Sequence, residues 1–326
     1  MNTQVNVKEI ENARQEWLAS RRLGVGGSDV AAILGLSKYK SPYQLWLDKT
    51  NRADLDDSES EPAYWGNQLE DIVAKEYAKR NGVKIQRVNA TIKNPEHDWM
   101  IANIDRAIIN PEISGNVRIK DGKLTTDRIL ECKTANQYLA KLWGDEQSEQ
   151  VPDYYLTQCQ WYMGNTGASM CGLGVLIGGQ KFRSYQIAFD EELFAMLQEE
   201  CSKFWFEHVQ ADMPPAPTTF DDVLHRWSHH NADQALTADD DLVETIAEYK
   251  DLNKTIKDAD KELDALKLKI CSRMEDAEMI IQEEKRLATF KYQERNTLDS
   301  KALKAAHPEI YEQFVKTSST RVLRVS

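Results

Sequence analysis

The sequence predicts an α/β (α+β) fold with a helical C-terminal extension that carries a small β element. Three observations predict it. Over residues 1–214 the apolar patterning runs helix, strands, helix, strands, helix. The segment ADMPPAPTTFDD, with three prolines, then breaks the pattern and divides a core domain, 1–214, from an extension, 215–326. Beyond it Leu242, Tyr249, Ile256, Leu263 and Ile270 recur every seven residues, the spacing of one helical face.

The elements follow in order. Residues 9–20 (EIENARQEWLAS) read as a short amphipathic helix. Gly24, Gly26 and Gly27 mark a turn. Ser28 and Asp29 are suitable N-caps for the apolar run Val30 to Leu34, which Gly35 stops. A helix over 42–48 starts on Pro42. The acidic stretch 51–62 reads as a loop, and a longer helix over 63–81 ends at Asn81-Gly82. VKIQRVNATIKN alternates apolar and polar residues as a strand does, WMIANIDRAII gives a second strand and RILECKTA a third. Residues 110–127 form a polar hairpin connection between the last two. A helix is expected over 151–163. GLGVLIGGQ and FRSYQIAF make two strands joined at Gly178-Gly179, and EELFAMLQEECSKFWFEHV makes a helix. In the extension, 238–278 is one long amphipathic helix or a helical hairpin, with its stripe packed on its own chain or a neighbouring subunit. IIQEEKRLATFKYQ reads as a strand pair, a short helix lies near 300–314, and TRVLRVS reads as a terminal strand.

The chain has 326 residues, 41% of them apolar, enough for one large core or two modest ones. No apolar run approaches the ~18 residues of a membrane span, and the polar N-terminus shows no secretory signal. The five cysteines are scattered without a CxxC, which argues against a disulfide framework, a zinc ribbon or an iron–sulfur cluster. A reducing, cytoplasmic compartment is the default. The net charge of −12 argues against a generally basic nucleic-acid footprint. A local basic groove beside an acidic metal site remains compatible with it. Candidate backbone-binding lysines are Lys38, Lys40 and Lys141.

The chemistry-bearing residues gather on the middle strands. Asp105 ends an apolar run, and Glu131 and Lys133 share one face of the strand Ile129 to Lys133. Charged groups on such a strand are costly unless paired or bound to metal. Two carboxylates with hard oxygens suit Mg²⁺ or Mn²⁺. The lysine can orient a water or steady charge developing on a phosphate. The same residues also fit an edge-strand ion pair and a turn aspartate. Glu70, at the head of a helix after YWGNQL, is a further candidate ligand or base, or an exposed helical glutamate. Arg21 and Arg22 beside the glycine turn and Ser28 form a phosphate cradle or an ordinary basic surface turn. His225, His229 and His230 flank Trp227 in a polar stretch that fits a surface better than a metal site.

The blocks Trp17, RRLGVGGSDVAAILG, YWGNQLE, ANID, LECK and YLTQCQWYM, in this order, resemble the phage-type exonucleases of the lambda exonuclease or YqaJ-type viral recombinase family. The resemblance spans roughly residues 10–210. It implies a restriction-endonuclease-like core, with a central mixed β-sheet flanked by helices. It implies Asp105 and Glu131 as metal ligands, the carbonyl of Cys132 as a further ligand, Lys133 as the catalytic lysine, and Glu70 and Gln158 beside the metal. Arg22 and Ser28 match the family's 5′-phosphate pocket, with Arg21 a competitor because the arginine–serine spacing is one residue shorter here. Ile104 stands where the family has proline before the aspartate.

The resemblance therefore implies a Mg²⁺-dependent 5′→3′ exonuclease on linear double-stranded DNA. Mn²⁺ would substitute for Mg²⁺. The enzyme would be a homotrimeric ring acting in phage or prophage recombination beside a single-strand annealing protein, with no membrane partner. The alternatives are a structure-specific endonuclease on the same chemistry and a non-catalytic DNA-binding adaptor.

Overall fold

The structure is a computed structural model and describes residues 19–53, 60–146 and 148–326. The chain forms two compact units, Met1–Val223 and Leu224–Ser326. The expected helix over 9–20 lies almost wholly outside the described residues.

In the first unit, α1 (Gly27–Ile33) begins earlier than Ser28. Gly26 is its N-cap, and Asp29, as the third helical residue, accepts the Gly26 N–H at 2.8 Å. Ser28 does not cap; its hydroxyl turns outward. The next helix, α2 (Pro42–Lys49), is capped by Ser41, whose hydroxyl accepts the Gln44 N–H while Gln44 accepts the Ser41 N–H. The longer α3 (Glu61–Asn81) stops at Gly82, whose φ of 64° supplies the left-handed cap.

The run expected as one strand over 83–94 divides into β1 (Lys84–Arg87) and β2 (Ile92–Lys93). The run over 99–109 likewise divides into β3 (Ile101–Ala102) and β4 (Arg106–Ile109). β2 pairs with β3 as a separate two-stranded ribbon. The hairpin β5 (Ile119–Lys120) and β6 (Lys123–Leu124) fills the polar connection. It leads to β7 (Arg128–Ala135) and a 3-10 turn at Gln137–Leu142. Then come α4 (Asp153–Thr166), β8 (Met170–Ile177), β9 (Lys181–Ala188) and α5 (Glu191–Lys203), which runs on as a π-helical segment at Phe204–Gln210.

The main sheet has the order β1-β4-β7-β8-β9 and is mixed: β7 and β8 are parallel, and the other pairs are antiparallel. Helices cover both faces. Leu130 and Cys132 of β7 pack with Val73, Ala74 and Tyr77 of α3. Ile129, of the opposite parity, joins the larger core with Cys159, Trp161 and Met163 of α4. α3 lies close against β8: a Cβ on Gly172 would sit 2.3 Å from the Tyr77 hydroxyl.

The first unit runs past the expected boundary at residue 214. Asp222, on α6 (Phe220–Arg226), accepts from the Ser41 hydroxyl at 2.8 Å and from the Thr218 and Thr219 amides at 3.0 and 3.1 Å. These bonds tie the start of that helix to the N-cap of α2.

In the second unit, α7 (Asp240–Met274) is one continuous helix rather than a hairpin. The hairpin β10 (Met279–Gln282) and β11 (Lys285–Thr289) matches the expected strand pair. The expected helix near 300–314 is split into α8 (Ser300–Ala306) and α9 (Pro308–Phe314), because Pro308 starts a new helix. TRVLRVS forms no strand: it is irregular, with the Arg321 guanidinium on the Trp227 carbonyl at 3.1 Å. The seven-residue stripe of α7 is exposed at Tyr249, Ile256, Leu263 and Ile270, so of the two coverings expected, its own chain or a neighbouring subunit, its own chain does not supply one at these positions. Among the described residues no helix is long and apolar enough to cross a membrane.

Candidate active site

The site forms where β4 and β7 part. Their ladder ends at the pair Arg106–Leu130. One residue before β4, Asp105 takes over the next ladder bond with its side chain: Oδ2 accepts the Cys132 N–H at 2.8 Å. That contact brings the Asp105 carboxyl beside Glu131, whose side chain points to the α4 face. There Glu131 Oε1 accepts from Lys133 Nζ at 2.5 Å and from Gln158 Nε2 at 2.9 Å. Gln158 also donates to the Tyr162 hydroxyl at 3.1 Å, and Lys133 lies 5.1 Å from the centre of the Tyr155 ring.

The electrostatics are those of crowded carboxyls in a dry site. Burial, and then the neighbouring Glu131, push the Asp105 carboxyl up to about 8. Burial raises Glu131 as well. For Lys133, burial opposes the charge, but Glu131 and Asp105 outweigh it and hold the ammonium well above its ordinary value. Glu131 Oε2 is buried and has no hydrogen-bond partner among the described residues. A buried, unpartnered carboxylate oxygen is expensive.

A cleft of about 770 Å³ opens over this cluster. Arg21, Gly27 and Ser28 line it opposite Asp105, Glu131 and Lys133. The glycine turn is fixed there by backbone and side-chain bonds. The Val25 N–H donates to the Trp99 carbonyl at 2.7 Å, and the Trp161 indole N–H donates to the Val25 and Ile101 carbonyls at 3.2 and 3.1 Å. Gly27 abuts α4 so closely that a Cβ would sit 2.5 Å from the Tyr162 ring and 3.0 Å from Gln158 Cγ. The turn and the glutamine that holds Glu131 are thus in direct contact.

The YqaJ-like viral recombinase domain matches residues 16–169. The protein YqaJ of Bacillus subtilis strain 168 is 35% identical over 324 residues, covering 98% of this chain and 96% of that protein. The chain belongs to the YqaJ-like family. Among solved structures it is similar to the alkaline exonuclease LHK-Exo of Laribacter hongkongensis (19% identity, 61% of this chain, 94% of that chain, TM-score 0.46). A second is a phage-related exonuclease of Haemophilus somnus (14% identity, 58% of this chain, 95% of that chain, TM-score 0.42).

In this YqaJ-like chain the sequence-derived candidates separate into those at the cluster and those beside it. Glu131, Lys133 and Gln158 meet directly, and Asp105 joins them through the Cys132 amide. Glu70 lines the cleft, but its Oε1 is held by Arg106 at 2.6 Å and Arg87 at 3.4 Å. Of the two arginines, Arg21 donates from Nη2 to Ser28 Oγ at 2.7 Å and lines the cleft. Arg22 is turned onto Asp48 at 3.4 Å and Asn51 at 2.5 Å. Lys40 pairs with Asp48 at 3.1 Å, and Lys38, Lys40 and Lys141 are not among the described residues lining the cleft. His229 meets Ser228 at 3.0 Å. Among the described residues no three His, Cys, Asp or Glu side chains converge on a metal position.

Two buried charged residues beside the site were not read from the sequence. Arg106 carried a signal, a charge inside the apolar run IDRAII. Lys49, whose Nζ pairs with Asp29 at 2.6 Å in the core, carried none, because a lysine in the last turn of a helix is ordinarily solvated.

Proposed function

We propose that this protein is a metal-dependent DNA exonuclease that hydrolyses phosphodiester bonds from linear duplex ends in the 5′→3′ direction and serves phage-type recombination. The observation that carries the reading is the pair Asp105 and Glu131, with Glu131 Oε2 left unpartnered beside Lys133 in an open cleft. Such a pair suits Mg²⁺, which is usually held by one or two carboxylates and the substrate's phosphate oxygens rather than by an all-protein cage. Mn²⁺ fits the same oxygens. Asp105, Glu131 and the Cys132 carbonyl would hold the ion, with Glu70 at the margin of its reach. When bound, the ion would offset negative charge on the scissile phosphate.

The chain's own groups account for the rest. Gln158 and Lys133 both hold Glu131 Oε1 and leave Oε2 without a hydrogen bond. Lys133, kept charged by its neighbours, stands ready to stabilise charge developing on the phosphate. Arg21 and Ser28 lie in the same cleft and suit a terminal 5′-phosphate, whereas Arg22 is engaged elsewhere. The reading extends to a homo-oligomer that encloses DNA, with an annealing protein as partner for the exposed strand.

The test is digestion of linear duplex labelled at either end, with and without Mg²⁺. Loss of the 5′ label first, only with the metal, is the expected result. Asp105→Ala and Glu131→Ala should each abolish digestion; Glu131→Ala should also lower stability, because it takes the counter-charge from Lys133. Since Asp105 titrates high without metal, ion binding displaces a proton, and the Mg²⁺ concentration required should fall as pH rises. Digestion that proceeds undiminished in chelator, or in either variant, would sink the reading.

A further inference from the structure

Arg106 is the first residue of β4, immediately after Asp105, and its side chain is almost wholly buried. A buried guanidinium needs partners on all sides, and these partners are informative. Nη1 donates to the Asp105 carbonyl at 2.6 Å and to Glu70 Oε1 at 2.6 Å, while Nη2 donates to Asp71 at 3.2 Å. One planar group therefore ties the backbone of a candidate ligand on the sheet to two successive carboxylates on α3.

A second observation shows that the placement of Glu70 depends on this group. Arg106 lies directly opposite Arg87 in the β1–β4 ladder. Like charges at directly opposed positions destabilise a strand pair. Here both guanidinium groups converge on the same oxygen, Glu70 Oε1. The arginine pair thus fixes which carboxylate oxygen is used up, and Glu70 Oε2 receives neither guanidinium. Without Arg106, Glu70 would keep only the longer Arg87 contact and would swing with an exposed side chain.

We propose that Arg106 is a positioning residue of the metal site, locking the Asp105 backbone and the Glu70 carboxylate into one unit so that both carboxyls face the cleft in a fixed geometry. This rests on the reading of the cleft as a metal-dependent nuclease. Arg106 touches neither phosphate nor ion in this role; it acts through Asp105 and Glu70. Partners of this kind typically change metal affinity by roughly 10–100-fold when removed.

The experiment is a calorimetric titration of the full chain with Mn²⁺, paired with steady-state digestion of linear duplex. Arg106→Met should raise the Mn²⁺ Kd by roughly 10–100-fold and lower kcat with KM for DNA unchanged. Arg106→Lys should restore part of the affinity, because an ammonium can still bridge the carbonyl and one carboxylate. Adding Glu70→Gln to Arg106→Met should cost little more, since the two act as one unit. If Arg106→Met does not fold, the Lys variant carries the test, with a smaller rise in Kd and the same coupling to Glu70. Wild-type Mn²⁺ affinity in the Arg106 variants, or effects of the Arg106 and Glu70 changes that simply add, would overturn the proposal while leaving the nuclease reading intact. A wild-type chain that neither binds Mn²⁺ nor digests DNA would remove both.

Discussion

At the scale of single residues, the two arginines of the glycine turn have different tasks despite being neighbours. Arg21 donates to Ser28 at the cleft, and Arg22 is spent on Asp48 and Asn51. Arg21→Ala should therefore weaken the preference for 5′-phosphorylated over 5′-hydroxyl ends, a charge-assisted contact of about 1.5–3 kcal/mol. Arg22→Ala should leave that preference alone. Competition digests of the two substrates measure it, and a preference lost only in Arg22→Ala would reverse the assignment. The same turn stands on a buried ion pair, Asp29 with Lys49. For Asp29, burial opposes the charge, yet Lys49 and then Arg21 outweigh it and hold the carboxyl below its ordinary value. A depressed carboxyl stabilises the fold above its unfolded pKa, and that contribution is lost as pH falls through the folded value. Asp29→Asn leaves Lys49 buried without a counter-charge and should cost about 3–5 kcal/mol. The loss should show in urea melts at neutral pH and shrink in acid; an equal loss at both pH values would contradict the pairing. Asp105, Glu131 and Lys133 were legible in the sequence because charges on an apolar strand stand out. Lys49 was not, because nothing local distinguishes a buried lysine from a solvated one.

At the scale of elements, β7, β8, β9, α3 and α4 follow the sequence pattern closely, since each has a long periodic face. The short strands do not. Alternation over 83–94 changes phase between Arg87 and Val88, where β1 ends, so β1 joins the main sheet and β2 pairs with β3 instead. Alternation reports burial on two sides and is silent about which partner supplies it. The terminal run TRVLRVS misleads for the same reason: it has strand composition but no strand alongside it. The contact that most directly couples elements to chemistry is α1 against α4. Gly27→Ala would place a methyl against Tyr162 and Gln158. Overpacking of this kind costs about 1–3 kcal/mol. The displacement would pass to Glu131 through Gln158, so activity should fall further than stability alone explains. Urea unfolding and digestion measured on the same variant separate the two effects, and a stable variant with normal turnover would show that the contact has slack.

At the scale of the whole molecule, net charge hides the site. The chain carries −12, yet the cleft is lined by Arg21, Arg87, Arg106 and Lys133 as well as by Glu70, Asp105 and Glu131. A phosphate backbone meets the local balance, not the total. The extension raises the opposite problem, because its helical face is visible in the sequence while its covering surface is not. Tyr249, Ile256, Leu263 and Ile270 are exposed along α7, and a continuous apolar stripe of that length is a liability in isolation. Removing Leu224–Ser326 should therefore leave a fragment more soluble than the full chain. The cut belongs after Val223 rather than at residue 214, since Asp222 holds the Ser41 hydroxyl and the Thr218 and Thr219 amides within the first unit. The 1–223 fragment should melt cooperatively and digest linear duplex with the same metal requirement. A 1–214 fragment should melt earlier, because it strips the Ser41 cap of its carboxylate partner. Circular dichroism melts and labelled-end digestion of both fragments decide the matter. If 1–223 precipitates, the stripe is not such a liability, and the extension is needed to keep the first unit in solution.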